Sequence, residues 1–150
     1  MDELDRRILR VLQTDPTLSV QTLAERVGLS HTPCWRRLKR LEEDGTIAAR
    51  AVVLDQAGVG FPVTVFANLK LRKHDEATLE SLEQKLRDCA HILECFSIAG
   101  SSDYVCRIVV ESIAAYEMFL KKTLLHMPGV SEVHSQVALK RVKLTTQLPL

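Results

Sequence analysis

The run Gly28-Leu29-Ser30-His31-Thr32-Pro33-Cys34-Trp35-Arg36-Arg37-Leu38-Lys39-Arg40-Leu41-Glu42 decides how the first third of this chain folds. Ser30 is an N-cap residue, Pro33 falls in the first turn where its missing N–H costs nothing, and Gly45 closes the segment, so the spacing predicts a helix. At about 100° per residue, Cys34, Leu38 and Leu41 fall on one face and Thr32, Arg36, Lys39 and Arg40 on the opposite one. The first set packs and the second is presented. A charge run is commonly just a solvated face. Here, however, the cations occupy the first half of the helix and Glu42-Glu43-Asp44 its last turn, against the preference of the helix dipole.

Upstream, Leu4, Ile8, Val11 and Leu12 recur at helical spacing behind a capping Asp2, predicting a first helix that runs to about Gln13 and ends at Thr14-Asp15-Pro16. Ser19 caps a second, shorter helix with Leu23, Ala24 and Val27 on its apolar stripe, and Gly28 stops it. Helix, glycine turn, basic helix is an arrangement that fits the DNA major groove. Ser30, His31 and Thr32 stand at the helix N-terminus, where backbone N–H groups favour phosphate; Arg36 and Arg40 are placed for base edges, and Arg37 and Lys39 complete the basic set. Trp35 lies between the two faces and is expected to pack against the first helix rather than touch a base. The segment from Thr46 to Leu54 suits a strand or short wing, from which Arg50 reaches a phosphate.

Composition bounds what this can mean. The chain has 150 residues, 46% apolar and 26% charged, which predicts a soluble globular protein of one ordinary domain or two small ones. Its net charge is only +1, so DNA binding has to come from locally concentrated charge. No apolar run approaches the roughly 18 residues that span a bilayer. Met1-Asp2-Glu3-Leu4 lacks the basic start of a secretory signal, and a cytoplasmic protein without membrane contact is expected. Cys34, Cys89, Cys95 and Cys106 show no C-x-x-C spacing, and the five histidines are dispersed, so neither a metal site nor a disulfide framework is expected.

Asp55 to Pro62, with Gly58 and Gly60, reads as a linker between a first domain, 1–54, and a second, 63–150. Beyond it the period changes. Val63, Val65, Ala67, Leu69 and Leu71 alternate with Thr64, Phe66, Asn68 and Lys70 as in a strand. A helix capped near Asp75 follows, carrying Leu79, Leu82, Leu86 and Cys89; then come strands over Ile92–Ala99 and Tyr104–Val110. Ser112 caps a helix with Tyr116, Phe119, Leu120 and Leu124 that Pro128-Gly129 ends, before a last strand near Val130. The order βαββαβ is that of a ferredoxin-like sandwich with both helices on one face of an antiparallel sheet. The second and third strands read as apolar on both sides: Ile92, Phe96 and Ile98 against Leu93 and Cys95, then Cys106, Ile108 and Val110 against Val105 and Val109. Homodimerisation through the open sheet face is therefore expected.

Together, Leu4-Asp5-Arg6 with Ile8-Leu9, the run from Gly28 to Glu42, Gly100-Ser101-Ser102-Asp103-Tyr104, the Pro128-Gly129-Val130 ending and Val142-Lys143 resemble the Lrp/AsnC (feast/famine) transcriptional regulators over essentially the whole chain. The resemblance implies an α+β protein: an N-terminal winged helix-turn-helix followed by a ferredoxin-like βαββαβ regulatory domain of the RAM/ACT type. It also implies dimers assembling into octamers or similar rings on double-stranded DNA, control of amino-acid metabolism genes, and a free amino acid as effector, with no cofactor otherwise. Carried onto this chain, the effector positions are Gly100, Ser101, Ser102, Asp103 and Tyr104, with His134, Ser135 and Gln136 as a further wall. A turn of this kind can hold a carboxylate on its N–H groups, and Asp103 can accept from an ammonium. It can equally be a plain tight hairpin.

Three classes of function follow. The first is a ligand-responsive transcription factor. The second is an architectural DNA-binding protein that assembles without a signal. The third, an enzyme or free-standing amino-acid-binding module, lacks a nucleophile–base pair or phosphate loop, and no enzyme is expected.

Overall fold

The computed structural model describes residues 1–150, which form two compact units, 1–53 with 142–150 and 54–141. In the first unit, α1 (Glu3–Thr14), α2 (Val20–Val27) and α3 (His31–Glu43) surround a core of Ile8, Leu12, Leu23, Val27, Cys34 and Leu41. Burying a side chain such as Ile8 or Leu23 in full is worth about 1.5–3 kcal/mol. Asp2 caps α1 in a reciprocal box with Asp5, each side chain accepting from the other's backbone N–H at 2.9 Å. Ser19 caps α2 by accepting from the Thr22 N–H. Gly28, at φ +71°, ends α2 in the left-handed conformation, and the following Leu29 N–H returns to the Ala24 carbonyl at 2.9 Å. Ser30 begins α3 without a side-chain cap bond.

Three expectations change here. Residues 46–54 form no strand, because the unit offers them no ladder partner; Val52, Val53 and Leu54 are exposed. Trp35 does not pack into α1: it is 44% exposed, with Lys39 Nζ 5.3 Å from its ring centre. The last residues leave the sheet's unit for the first one. Leu150 joins the α1 core, its carbonyl accepts from Arg10 Nε at 2.9 Å, and the Leu148 carbonyl accepts from Gln13 Nε2 at 3.3 Å.

The first unit encloses one charged side chain, Asp5, only 1% exposed. Arg37 Nη1 donates to its Oδ1 at 2.8 Å and to Asp2 Oδ2 at 2.6 Å, while Arg40 Nη2 donates to Asp5 Oδ2 at 2.6 Å. Two cations of α3 therefore pin α3 to α1. Burial alone would raise the Asp5 pKa, but the Asp2 N–H, the Arg37 bond and the Arg40 charge together hold it below the ordinary carboxylate value.

The second unit is one antiparallel sheet, order β2-β3-β1-β4, built from β1 (Val63–Leu71), β2 (Ile92–Ser97), β3 (Tyr104–Val110) and β4 (Val130–Val137). Helices α4 (Glu76–Asp88) and α5 (Ile113–Lys122) pack on one face, burying Leu82, Leu86 and Tyr116 against Val65, Ala67, Leu69, Cys106 and Ile108. Asp75 and Ser112 cap the two helices. The second helix stops before the expected Pro128-Gly129: the chain tightens at Thr123 into a 3-10 turn, Leu124–His126, that sinks Leu124 completely. Residues 55–61 are folded turns rather than a free linker, because Gln56 Nε2 donates to the Phe61 carbonyl and to Thr64 Oγ1.

A bulge between Ile92 and Glu94 re-aims β2. Ile92 pairs with Ile108 and Cys95 with Cys106, so both turn toward the helices, while Glu94 and Phe96 turn to the open face opposite Arg107 and Val105. That face is accordingly mixed. Phe66 (40% exposed) and Phe96 (60%) flank the Arg107–Glu94 ion pair at 2.7 Å.

The Asp5 clamp sets the acid limit of the first unit. Asp2 is held at about 2 and Asp5 below its ordinary 3.8, so their stabilisation is complete above about pH 4 and is lost as pH falls toward 2. Thermal melts should show a steep loss across that window. Asp5→Asn should cost about 1–3 kcal/mol at pH 7, below the figure for a fully buried pair because Arg40 is half exposed and can turn to water. It should also flatten the acid slope.

Candidate DNA-binding face and effector turn

Arg37 and Arg40 face inward enough to reach Asp5, which directs the residues immediately before them, Arg36 and Lys39, outward. Arg36 is exposed and enters no ion pair, so its full set of donors faces solvent. Lys39 is exposed, lies over Trp35, and meets Glu43 only at 3.5 Å. Ser30, His31 and Thr32 are exposed at the start of α3. Arg40 keeps a 54% exposed side chain while one of its nitrogens holds Asp5. Arg37 is the exception in the basic set: only 26% exposed, it bridges two carboxylates. Its guanidinium pKa rises, first through its bond to Asp2 and then through Asp5.

Arg50 is tied to Glu42 Oε1 at 3.0 Å and to the Pro16 carbonyl at 3.2 Å, so it fastens residues 46–50 to the end of α3. Arg26, in the last turn of α2, is exposed and unpaired, a cation that the sequence reading did not single out. Asp5 was missed as well. Its signal was present in the chain, since Asp5 falls on the same helical stripe as Ile8, Leu9 and Leu12, and a carboxylate on a core-facing stripe requires cationic partners.

The turn between β2 and β3 brings Gly100, Ser101, Ser102, Asp103 and Tyr104 together. Gly100 has φ +149°, a conformation that side chains disfavour, and no atom lies within 4 Å of where a Cβ would project. Ser101 is exposed and Ser102 partly so. Asp103 is a clasp. Its backbone N–H donates to the Leu69 carbonyl at 2.9 Å, its Oδ2 accepts from the Leu71 N–H at 2.7 Å, and its Oδ1 lies 2.8 Å from His74 Nε2. The Leu71 N–H, then His74, hold its carboxyl below the ordinary range.

Tyr104 turns under α4, buried, and donates its hydroxyl to Glu83 Oε1 at 3.0 Å. Burial and that carboxylate push its pKa up to about 12. On β4, His134 and Gln136 share the open face opposite Asn68 and Phe66, whereas Ser135 points to the helices and bonds Tyr116. The three residues therefore do not form a single wall. His74 and Glu83, partners of the turn that sequence spacing did not reveal, lie outside the motif on the β1–α4 connection and on α4.

Comparison with known proteins agrees with both halves. Residues 1–42 match the AsnC-type helix-turn-helix domain and residues 64–148 the Lrp/AsnC ligand binding domain. The chain is 39% identical to the Bkd operon transcriptional regulator of Pseudomonas aeruginosa, covering 100% of this chain and 98% of that one. An AsnC family transcriptional regulator from Agrobacterium tumefaciens superimposes with a TM-score of 0.94 at 42% identity, covering 99% of this chain and 97% of that one. A transcriptional regulator of Neisseria meningitidis, solved as an L-Met complex, gives a TM-score of 0.94 at 35% identity over 99% and 96% of the two chains. With the helix-turn-helix and the βαββαβ sheet both accounted for end to end, the chain belongs to the Lrp/AsnC family of DNA-binding transcriptional regulators, which are not enzymes.

Proposed function

We propose that this protein is a cytoplasmic, sequence-specific regulator of amino-acid metabolism genes that works as a homodimer, assembles further into an octamer or similar ring, and responds to a free amino acid. The observation that carries the DNA-binding part is the division of labour on α3. Arg37 and Arg40 fix the helix against Asp5, and Arg36 and Lys39 stand clear of the protein. In this reading Arg36 contacts a base edge, with Arg40 beside it. Ser30, His31, Thr32, Lys39 and Arg50 line the phosphates, and Arg37 serves as a positioning residue.

The effector part rests on the exposed turn and on the similarity of residues 64–148 to the Lrp/AsnC ligand binding domain. The N–H groups around Gly100, Ser101 and Ser102 suit a carboxylate, and His134 and Gln136 offer polar groups on the open face. Both oxygens of Asp103 are already engaged, so it holds the turn's shape; Tyr104 does the same from below. For the dimer, Phe66, Phe96 and Val105 supply an apolar surface that is rarely left in water.

Arg36→Ala should lower specific operator affinity by about 1–3 kcal/mol with an unchanged melting temperature. Arg37→Ala should lower the melting temperature as well. Unaltered operator affinity in the Arg36→Ala, Lys39→Ala double variant would remove α3 from the interface.

Thermal shift against the twenty amino acids should single out one chemical group of effectors, and Asp103→Asn should erase that shift while leaving operator affinity within about threefold, less than 1 kcal/mol. A flat response, with no change in assembly, would favour an architectural protein that needs no signal. In sedimentation at micromolar concentration the protein should run as a dimer or larger, and Phe96→Glu should release monomers. A wild-type monomer would sink the open-face assembly.

A further inference from the structure

Two of the four cysteines face one another across the sheet. Cys95 on β2 is directly opposite Cys106 on β3, with the Cys106 thiol donating to Cys95 Sγ at 3.3 Å. The backbone bond from the Ile98 N–H to the Asp103 carbonyl fixes the alternation of the ladder, which makes 95/106 a non-hydrogen-bonded pair, the class in which opposite side chains lie closest. A disulfide needs its sulfurs at about 2.0 Å and its Cα atoms at roughly 4.4–6.8 Å, a span that such a pair satisfies with about an ångström of sulfur movement.

The two thiols differ in access. Cys106 is fully buried, whereas Cys95 is partly exposed and lines an open cleft of about 470 Å³ with Glu83, Arg87, Ser97 and Tyr104. The cleft runs along the outer edge of β2 beside α4, with Leu86 and Ile92 at its base and Leu93 and Glu94 on its strand side. The Cys106 bond lowers the pKa of Cys95, and that bond, with burial, raises that of Cys106.

We propose that Cys95 and Cys106 are a redox site that a peroxide closes into an intrachain disulfide, with Cys95 as the attacking thiolate and Cys106 as the resolving thiol. Cys95 sulfur attacks the peroxide, an S–O bond forms, the O–O bond breaks, and the released hydroxide takes a proton to become water. Cys106 sulfur then attacks the Cys95 sulfenic acid; the S–S bond forms, the S–O bond breaks, and the departing hydroxide leaves as water with the Cys106 proton. Two thiols lose two electrons and the peroxide is reduced to two waters. Because β2 is an edge strand paired only with β3, the new bond staples it beside the Gly100–Tyr104 turn.

The test uses the reduced full-length chain with hydrogen peroxide, followed by alkylation and intact mass. Two of the four thiols should be lost with a fall of two hydrogen atoms, and chymotrypsin, cutting after Phe96 and Tyr104, should release Cys95 and Cys106 as one linked species under non-reducing conditions. Cys95→Ser should abolish the link. Brief peroxide exposure of the wild type with dimedone should label Cys95, a readout that does not require the buried Cys106→Ser variant to fold. Linkage through Cys89, a bond between two chains, or a Cys95 that proceeds to sulfinic acid with Cys106 still alkylatable would overturn the proposal.

Discussion

The presented face of this protein depends on one buried carboxylate. An ionised Asp5 enclosed among apolar side chains would be expelled or protonated unless its charge were met in place. Two guanidiniums from α3 meet it, and they do so at positions 37 and 40, one helical turn apart on the side turned toward α1. Rotating α3 by a single residue would withdraw both. The ion cluster therefore acts as a registration device, and the exposure of Arg36 and Lys39 is the other side of the same constraint.

This also separates residues that look alike in the primary structure. Arg36 and Arg37 are neighbours of identical chemistry, and both belong to the basic set that the sequence assigns to DNA. What distinguishes them is a carboxylate more than thirty positions upstream, and tertiary pairing of that kind leaves no trace in local periodicity. The trace it does leave is on the partner, because an acid on the apolar stripe of α1 asks for a cation. Caps at Asp2, Ser19, Asp75 and Ser112 were legible for the opposite reason: a cap is a contract between residues three apart.

In the second unit the strand and helix order could be read from alternation and spacing, but the faces of β2 could not. One bulged residue reverses which side Cys95 and Phe96 address, so a run that looked apolar on both sides resolves into a core edge and a mixed outer face. The turn that follows shows the same limit. Gly100 and Asp103 mark a tight connection by their types, yet the groups that occupy Asp103, the Leu71 N–H and His74, come from the end of β1 and the loop beyond it. Sequence named the turn, and long-range pairing decided which of its atoms are free.

The return of the last nine residues to α1 has a topological meaning. Because 142–150 belong with 1–53, the sheet-bearing unit is in effect an insert within the DNA-binding unit, entered through one connection and left through another. After β4 the chain supplies the segment whose Leu150 and Leu148 carbonyls accept from Arg10 and Gln13, so both covalent connections of the sheet-bearing unit are to residues of the helix-turn-helix unit. In chain order the helix-turn-helix unit is therefore split, and its apolar cluster is completed only when Leu150, the last residue, is in place.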